Sequence, residues 1–118
     1  MKYLITDDSK LARKVLKKSL SQFCEEENIF EASNGLEAIK ILLKEKPNII
    51  FLDLTMPVMD GYETIPKLLE INPDIKIVVV SADVQEKAQE RVLSLGAKLH
   101  VKKTITPIKM KEILESIA

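Results

Sequence analysis

The run Ile49-Ile50-Phe51-Leu52, closed by Asp53, decides how this chain folds. Four consecutive apolar residues without polar alternation describe a strand covered on both faces, the habit of parallel sheets inside α/β domains. A second run, Ile77-Val78-Val79-Val80, has the same character. Working outward, the strand candidates are Lys2 to Thr6, Ile29 to Ala32, Asn48 to Leu52, Ile75 to Val80 and Lys98 to Lys102. The last alternates lysine with apolar residues, which marks a sheet edge. Between the strands lie helical periods. Ala12, Val15, Leu16, Ser19, Leu20 and Phe23 form one stripe behind the N-cap candidate Ser9. Ala38, Ile39, Leu42 and Leu43 face inward from a helix over about Gly35 to Glu45. Ile65, Leu68 and Leu69 do so from Tyr62 to Ile71, where Pro66 calls for a helix that begins just before it. Val84, Ala88, Val92 and Leu95 give the fourth helix, with Gly96 as a left-handed C-terminal cap. Thr106-Pro107 opens the fifth, which turns Met110, Ile113, Leu114 and Ile117 inward. Five strands alternating with five helices predict a single α/β domain over 1–118, three layers deep and doubly wound.

Composition supports one ordinary domain with an aliphatic core. Hydrophobic residues make up 46% of the 118 residues, yet Phe and Tyr total only five and Trp is absent. The 31% of charged residues beside that aliphatic content excludes a disordered chain. Eighteen basic side chains balance eighteen acidic ones, which argues against a nucleic-acid binder. No apolar run has membrane length, and no signal peptide precedes Tyr3-Leu4-Ile5-Thr6. A single cysteine, Cys24, fits a soluble protein of the reducing cytoplasm.

The chemistry gathers at strand ends. Asp7 and Asp8 follow the first strand and Asp53 the third. Open parallel sheets bind ligands outside the carboxyl ends of their strands. If the first and third strands are neighbours, the three carboxylates share one crevice and repel one another. A hard divalent cation relieves that repulsion, and Mg²⁺ suits carboxylates, water and a phosphoryl oxygen. The expected metal ligands are Asp7, Asp8, Asp53 and the backbone carbonyl of Thr55. Ser81, after the fourth strand, is placed to hydrogen-bond a phosphoryl oxygen, and Lys103, after the fifth, to pair with its charge. With no His or Cys placed as nucleophile, Asp53 is the candidate phosphoacceptor.

Here the residues reach a resemblance. The stretch Asp53-Leu54-Thr55-Met56-Pro57-Val58-Met59-Asp60-Gly61 resembles the phosphoacceptor loop of response-regulator receiver domains, the CheY-like superfamily. Asp7-Asp8, Ser81-Ala82, and Gly96-Ala97 seven residues before Lys103 extend the resemblance along the chain. It implies the flavodoxin-like strand order 2-1-3-4-5. It also implies that Asp53 takes a phosphoryl group from a histidine kinase or phosphotransfer protein, with Ser81 and Lys103 assisting. Ser81 then moves toward the phosphoryl group, and the aromatic position of the fifth strand rotates inward. The fourth helix, fifth strand and fifth helix form the surface that partners read. By the same resemblance, Thr55 and Asp83 occupy positions that in the family tune phosphoryl lifetime.

Two positions depart from the family pattern. Lys103 is followed by Thr104 where the family has proline after a cis bond, leaving either a trans bond with a reshaped loop or a retained cis bond. The switch position holds His100, the only histidine. An imidazole rotates as an aromatic ring does but also titrates near neutrality. Lys10, Arg13, Lys14, Lys17 and Lys18 form a basic stripe on the first helix, either a solvated face or a docking surface for an acidic partner. The leading expectation is a stand-alone, monomeric switch without an output domain, binding a downstream protein such as a flagellar motor component or another signalling protein. It would be no enzyme beyond self-phosphotransfer and autodephosphorylation. The alternative is a phosphorylation-independent adaptor on the same fold.

Overall fold

Side-chain alternation along the strands sorts the core into two halves. In the computed structural model, which describes all residues Met1–Ala118, the strands are β1 (Tyr3–Thr6), β2 (Ile29–Ala32), β3 (Ile49–Leu52), β4 (Lys76–Ser81) and β5 (Leu99–Lys102). All pair in parallel in the order β2-β1-β3-β4-β5, so the expected 2-1-3-4-5 sheet is the observed one. Leu4, Ile50, Leu52, Ile77 and Val79 point to one face, into a cluster of 15 buried residues. Tyr3, Ile5, Ile49, Phe51, Val78 and Val80 point to the other, into a cluster of 13. Two half-cores of nearly equal size explain why β3 and β4 read as unbroken apolar runs: neither face of the sheet meets water.

The helices α1 (Lys10–Leu20), α2 (Gly35–Glu45), α3 (Gly61–Ile71), α4 (Glu86–Leu95) and α5 (Pro107–Ile117) cover those faces. A short 3₁₀ turn, Glu26–Asn28, leads into β2. The caps follow the sequence. Ser9 Oγ accepts from the Ala12 N–H, Thr106 Oγ1 accepts from the Lys109 N–H, and Gly96 closes α4 with φ 116°. No helix is long and apolar enough to cross a membrane.

Three side chains assigned inward are exposed: Val15 (39%), Phe23 (41%) and Leu43 (60%). Phe23 lies beyond the end of α1, and Val15 and Leu43 sit on the margins of stripes narrower than their periodicity suggested. Val84 precedes α4 rather than belonging to it. Pro66 lies inside α3, because Asp60 starts the helix five residues earlier by accepting the Glu63 N–H on its carboxylate. The proline ring then forfeits only the bond that the Tyr62 carbonyl would have received.

The connection from β3 to α3 is the tightest part of the fold. The Gly61 N–H donates to the Leu54 carbonyl at 2.9 Å. A Cβ at Gly61 would collide with the Asp53 carbonyl oxygen and stand 2.8 Å from Leu54 Cα, both backbone atoms with no freedom to move aside. Gly61→Ala is therefore expected to cost roughly 2–3 kcal/mol in urea unfolding. Val58, three residues earlier, is 75% exposed yet holds φ 69°, a left-handed conformation that a β-branched residue resists. Val58→Gly should stabilise the chain by roughly 0.5–1 kcal/mol in the same measurement, the net of relieved strain and added chain entropy.

Candidate functional site

Strand register builds the site. Thr6 pairs with Leu52 across β1 and β3, so the residues that follow, Asp7 and Asp53, leave the sheet side by side. Backbone bonds carry the ladder one step further: the Asp7 N–H donates to the Ala32 carbonyl and the Asp53 N–H to the Thr6 carbonyl. Asp7 and Asp53 are buried, whereas Asp8 is exposed. One carboxylate oxygen from each of the three lies within 4.8 Å of the others.

Lys103 reaches in from the end of β5. Its Nζ stands 2.7 Å from Asp7 Oδ2 and 3.3 Å from Asp53 Oδ2. Asp7 Oδ1 accepts from the Ser9 N–H and Asp53 Oδ1 from the Leu54 N–H. The Lys103–Thr104 peptide bond is cis. One ammonium among three carboxylates leaves an acidic excess, and every donor at the cluster is a hard oxygen. That set fits Mg²⁺ rather than a softer metal.

Burial, then the neighbouring charge of Asp7, pushes the Asp53 carboxyl above the ordinary aspartate range, against the opposing pull of Lys103 and the Leu54 N–H. Burial works against the charge on Lys103, but Asp7 and Asp53 outweigh it and hold the ammonium above its usual value.

A cleft of about 280 Å³ opens beside Asp53, lined by Thr55, Ser81, Asp83 and Lys103 among others. Thr55, Ser81 and Asp83 thus share a cleft with Asp53 and Lys103, whereas Asp7 lines a separate pocket against α1. Ser81 Oγ donates to the Asp83 carbonyl at 2.6 Å and lies 2.7 Å from His100 Nε2. His100 is buried although β5 is an edge strand. Burial holds its imidazole below the ordinary histidine range, with Asp83 opposing.

Sequence reasoning missed the part played by Arg13. Its Nη1 donates to the Asp7 carbonyl at 2.6 Å, and its Nε pairs with Glu31 at 3.2 Å. Lys17 also reaches Glu31. Two of the five basic side chains are therefore engaged internally, and the exposed stripe reduces to Lys10, Lys14 and Lys18. Nothing local in the sequence pairs position 13 with 31; only the β1–β2 crossover brings them together.

The response regulator receiver domain model matches residues 3–115. The chain is 35% identical to the chemotaxis protein CheY of Listeria monocytogenes over all of its own length and 98% of that protein's. It is 31% identical to the sporulation initiation phosphotransferase F of Bacillus subtilis, covering 98% of this chain and 90% of that one. A solved CheX–CheY complex of Borrelia burgdorferi with BeF₃ and Mg²⁺ contains a similar chain, at 26% identity and a TM-score of 0.89, over 99% of this chain and 88% of that one.

The raised Asp53 carboxyl has a consequence for stability. A folded-state pKa above the unfolded value means that the folded chain holds this proton more tightly. The group's favourable contribution is present in acid and is lost as pH rises through the folded pKa. At pH 7 the ionised Asp53 therefore weakens the metal-free fold. Asp53→Asn should raise the urea midpoint at pH 7 in chelator, and the gain should shrink as pH falls toward 4.

Proposed function

The chain belongs to the response regulator receiver family, and from that membership we propose that it accepts a phosphoryl group on Asp53 and passes the change of state to a protein partner. The observation that carries this reading is the convergence of Asp7, Asp8 and Asp53 within 4.8 Å, with Lys103 paired to two of them. The family and its place in two-component signalling point to a phosphohistidine donor on a kinase or phosphotransfer protein. A carboxylate oxygen of Asp53 attacks phosphorus as the P–N bond breaks, and the imidazole leaves with the electron pair and takes up a proton. Mg²⁺, held by Asp7, Asp8, Asp53 and the Thr55 carbonyl, would supply charge neutralisation at the phosphoryl oxygens.

The protein's own groups do the rest. Lys103 Nζ already bridges Asp7 and Asp53, so its charge lies where the equatorial oxygens gain negative charge. Ser81 lines the same cleft and offers a hydroxyl to the phosphoryl group, and Thr55 and Asp83 border the approach of a hydrolytic water. Ser81 also touches His100, and His100 lines a second groove, of about 470 Å³, between α4, β5 and α5. This gives a short path from the phosphoryl site to an output surface, with Ser81 and His100 as switch residues. Similarity to the Listeria chemotaxis protein and to the Bacillus phosphotransferase supports a chemotaxis or phosphorelay setting.

Incubation with acetyl phosphate and Mg²⁺ should add one phosphoryl group, detected by intact mass. Labelling should vanish in Asp53→Asn and in excess chelator, and slow by about a hundredfold in Lys103→Ala. Absence of labelling in the intact protein would replace this reading with that of a phosphorylation-independent adaptor.

A further inference from the structure

We propose that His100 is a positioning residue for Ser81, donating from Nε2–H to the serine oxygen, and that a proton on its other ring nitrogen opposes the phosphorylated state. The inference rests on the receiver reading above and adds to it a second input, pH, acting at the same switch.

Proton accounting fixes the tautomer. Ser81 Oγ has one proton and two close partners, the Asp83 carbonyl at 2.6 Å and His100 Nε2 at 2.7 Å. A carbonyl has nothing to donate, so the serine proton lies between the two oxygens. The short contact to Nε2 must then be a bond donated by the imidazole, which puts the ring proton on Nε2. Nδ1 is left with its lone pair, and it is buried without a hydrogen-bond partner. The arrangement is satisfied only while the ring is neutral. An imidazolium would carry an N–H at Nδ1 with no acceptor, at an atom buried from the surface.

The surroundings give an expelled ring somewhere to go. Ser81 Oγ holds its Nε2 side, and the Asp83 backbone lies near enough to favour the charged ring. The groove it lines offers Gln89 from α4, Lys102 from β5, and Lys109 and Glu112 from α5. The Lys109–Glu112 ion pair spans 3.6 Å on the rim, so an imidazolium swinging outward meets both a carboxylate and a competing ammonium. Asp83, exposed on the loop after β4, adds a second carboxylate.

Phosphorylation makes the opposite demand. When Ser81 gives its proton to a phosphoryl oxygen, it releases the Asp83 carbonyl. The donor already beside that carbonyl is His100 Nε2–H, so the neutral ring stays inside and takes the vacated acceptor. Phosphoryl group and proton thus compete through one side chain, and by linkage each weakens the other.

The sole histidine makes the test unambiguous. Nitrogen-15 NMR of the full chain at pH 7.5 should show the Nε2–H tautomer. Between pH 8 and 5.5, in the absence of a phosphoryl analogue, the Ser81 and Asp83 amides should shift with the same midpoint as the ring. That movement should be absent in His100→Phe and His100→Tyr, with the remaining spectrum showing that each variant is folded. With Mg²⁺ and beryllofluoride, affinity should fall about fivefold or more between pH 7.5 and 5.8 in the wild type beyond any fall in His100→Phe. An Nδ1–H tautomer, amides that titrate equally in the variants, or equal pH ratios of affinity would overturn the proposal. If beryllofluoride binds at neither pH, the receiver reading fails, and the tautomer and amide titration still decide the role of His100.

Discussion

In-register parallel pairing of β1 with β3 is the constraint on which the rest depends. Once Thr6 lies opposite Leu52, the chain has no choice but to set Asp7 beside Asp53. The pairing is enforced by burial on both faces: a slip of one residue would send Leu4, Ile50 and Leu52 into the half-core now filled by Ile5, Ile49 and Phe51. The electrostatic tension of the site is therefore held in place by hydrophobic packing well away from it. Charge repulsion at the strand ends cannot relax by shifting the strands, because the shift would disturb both half-cores at once.

The same geometry explains why the candidate site draws on every strand but β2. Parallel strands deliver their carboxyl ends to one edge of the sheet. Asp7 and Asp8 come from β1, Asp53 and Thr55 from β3, Ser81 and Asp83 from β4, and Lys103 from β5. The Lys103 N–H donates to the Ser81 carbonyl, so the cation and the hydroxyl are backbone neighbours across β4 and β5. β2 contributes through Glu31, which with Arg13 steadies the Asp7 carbonyl from behind.

Much of this was legible in the sequence, and the reasons differ by feature. Unbroken apolar runs announced β3 and β4 because both faces of the sheet are covered. Ser9, Gly96 and Thr106-Pro107 marked helix ends because capping is local chemistry. Strand order was not legible from periodicity, since alternation says which way side chains point but not which strand lies alongside; the family resemblance supplied it. Periodicity also overstated the buried width of α1 and α2, as Val15 and Leu43 show. The burial of His100 was hidden for a related reason. An edge strand flanked by lysines reads as solvent-facing, yet His100 is buried with its Nε2 against Ser81 of β4. Arg13 read as one of five similar cations until tertiary contact separated it from the rest.

The two halves of the site differ in their resting condition, and under the proposed function that difference would let a small ligand act at a distance. The acidic cluster is repulsive before anything binds, so a divalent cation held there would relieve that repulsion with little rearrangement of the carboxylates. Ser81 is in the reverse condition: its hydroxyl is already engaged, donating to the Asp83 carbonyl and standing 2.7 Å from His100 Nε2. Any use of that hydroxyl at the phosphoryl group must break a satisfied network, and a buried network that loses one member has to be re-formed elsewhere. On the proposed function, recruiting that hydroxyl would rearrange the β4–α4 loop and the floor of the α4–β5–α5 groove. Had Ser81 been unengaged at rest, phosphorylation would add a bond without moving anything. Coupling of the kind proposed would require that the resting hydrogen bonds be good ones.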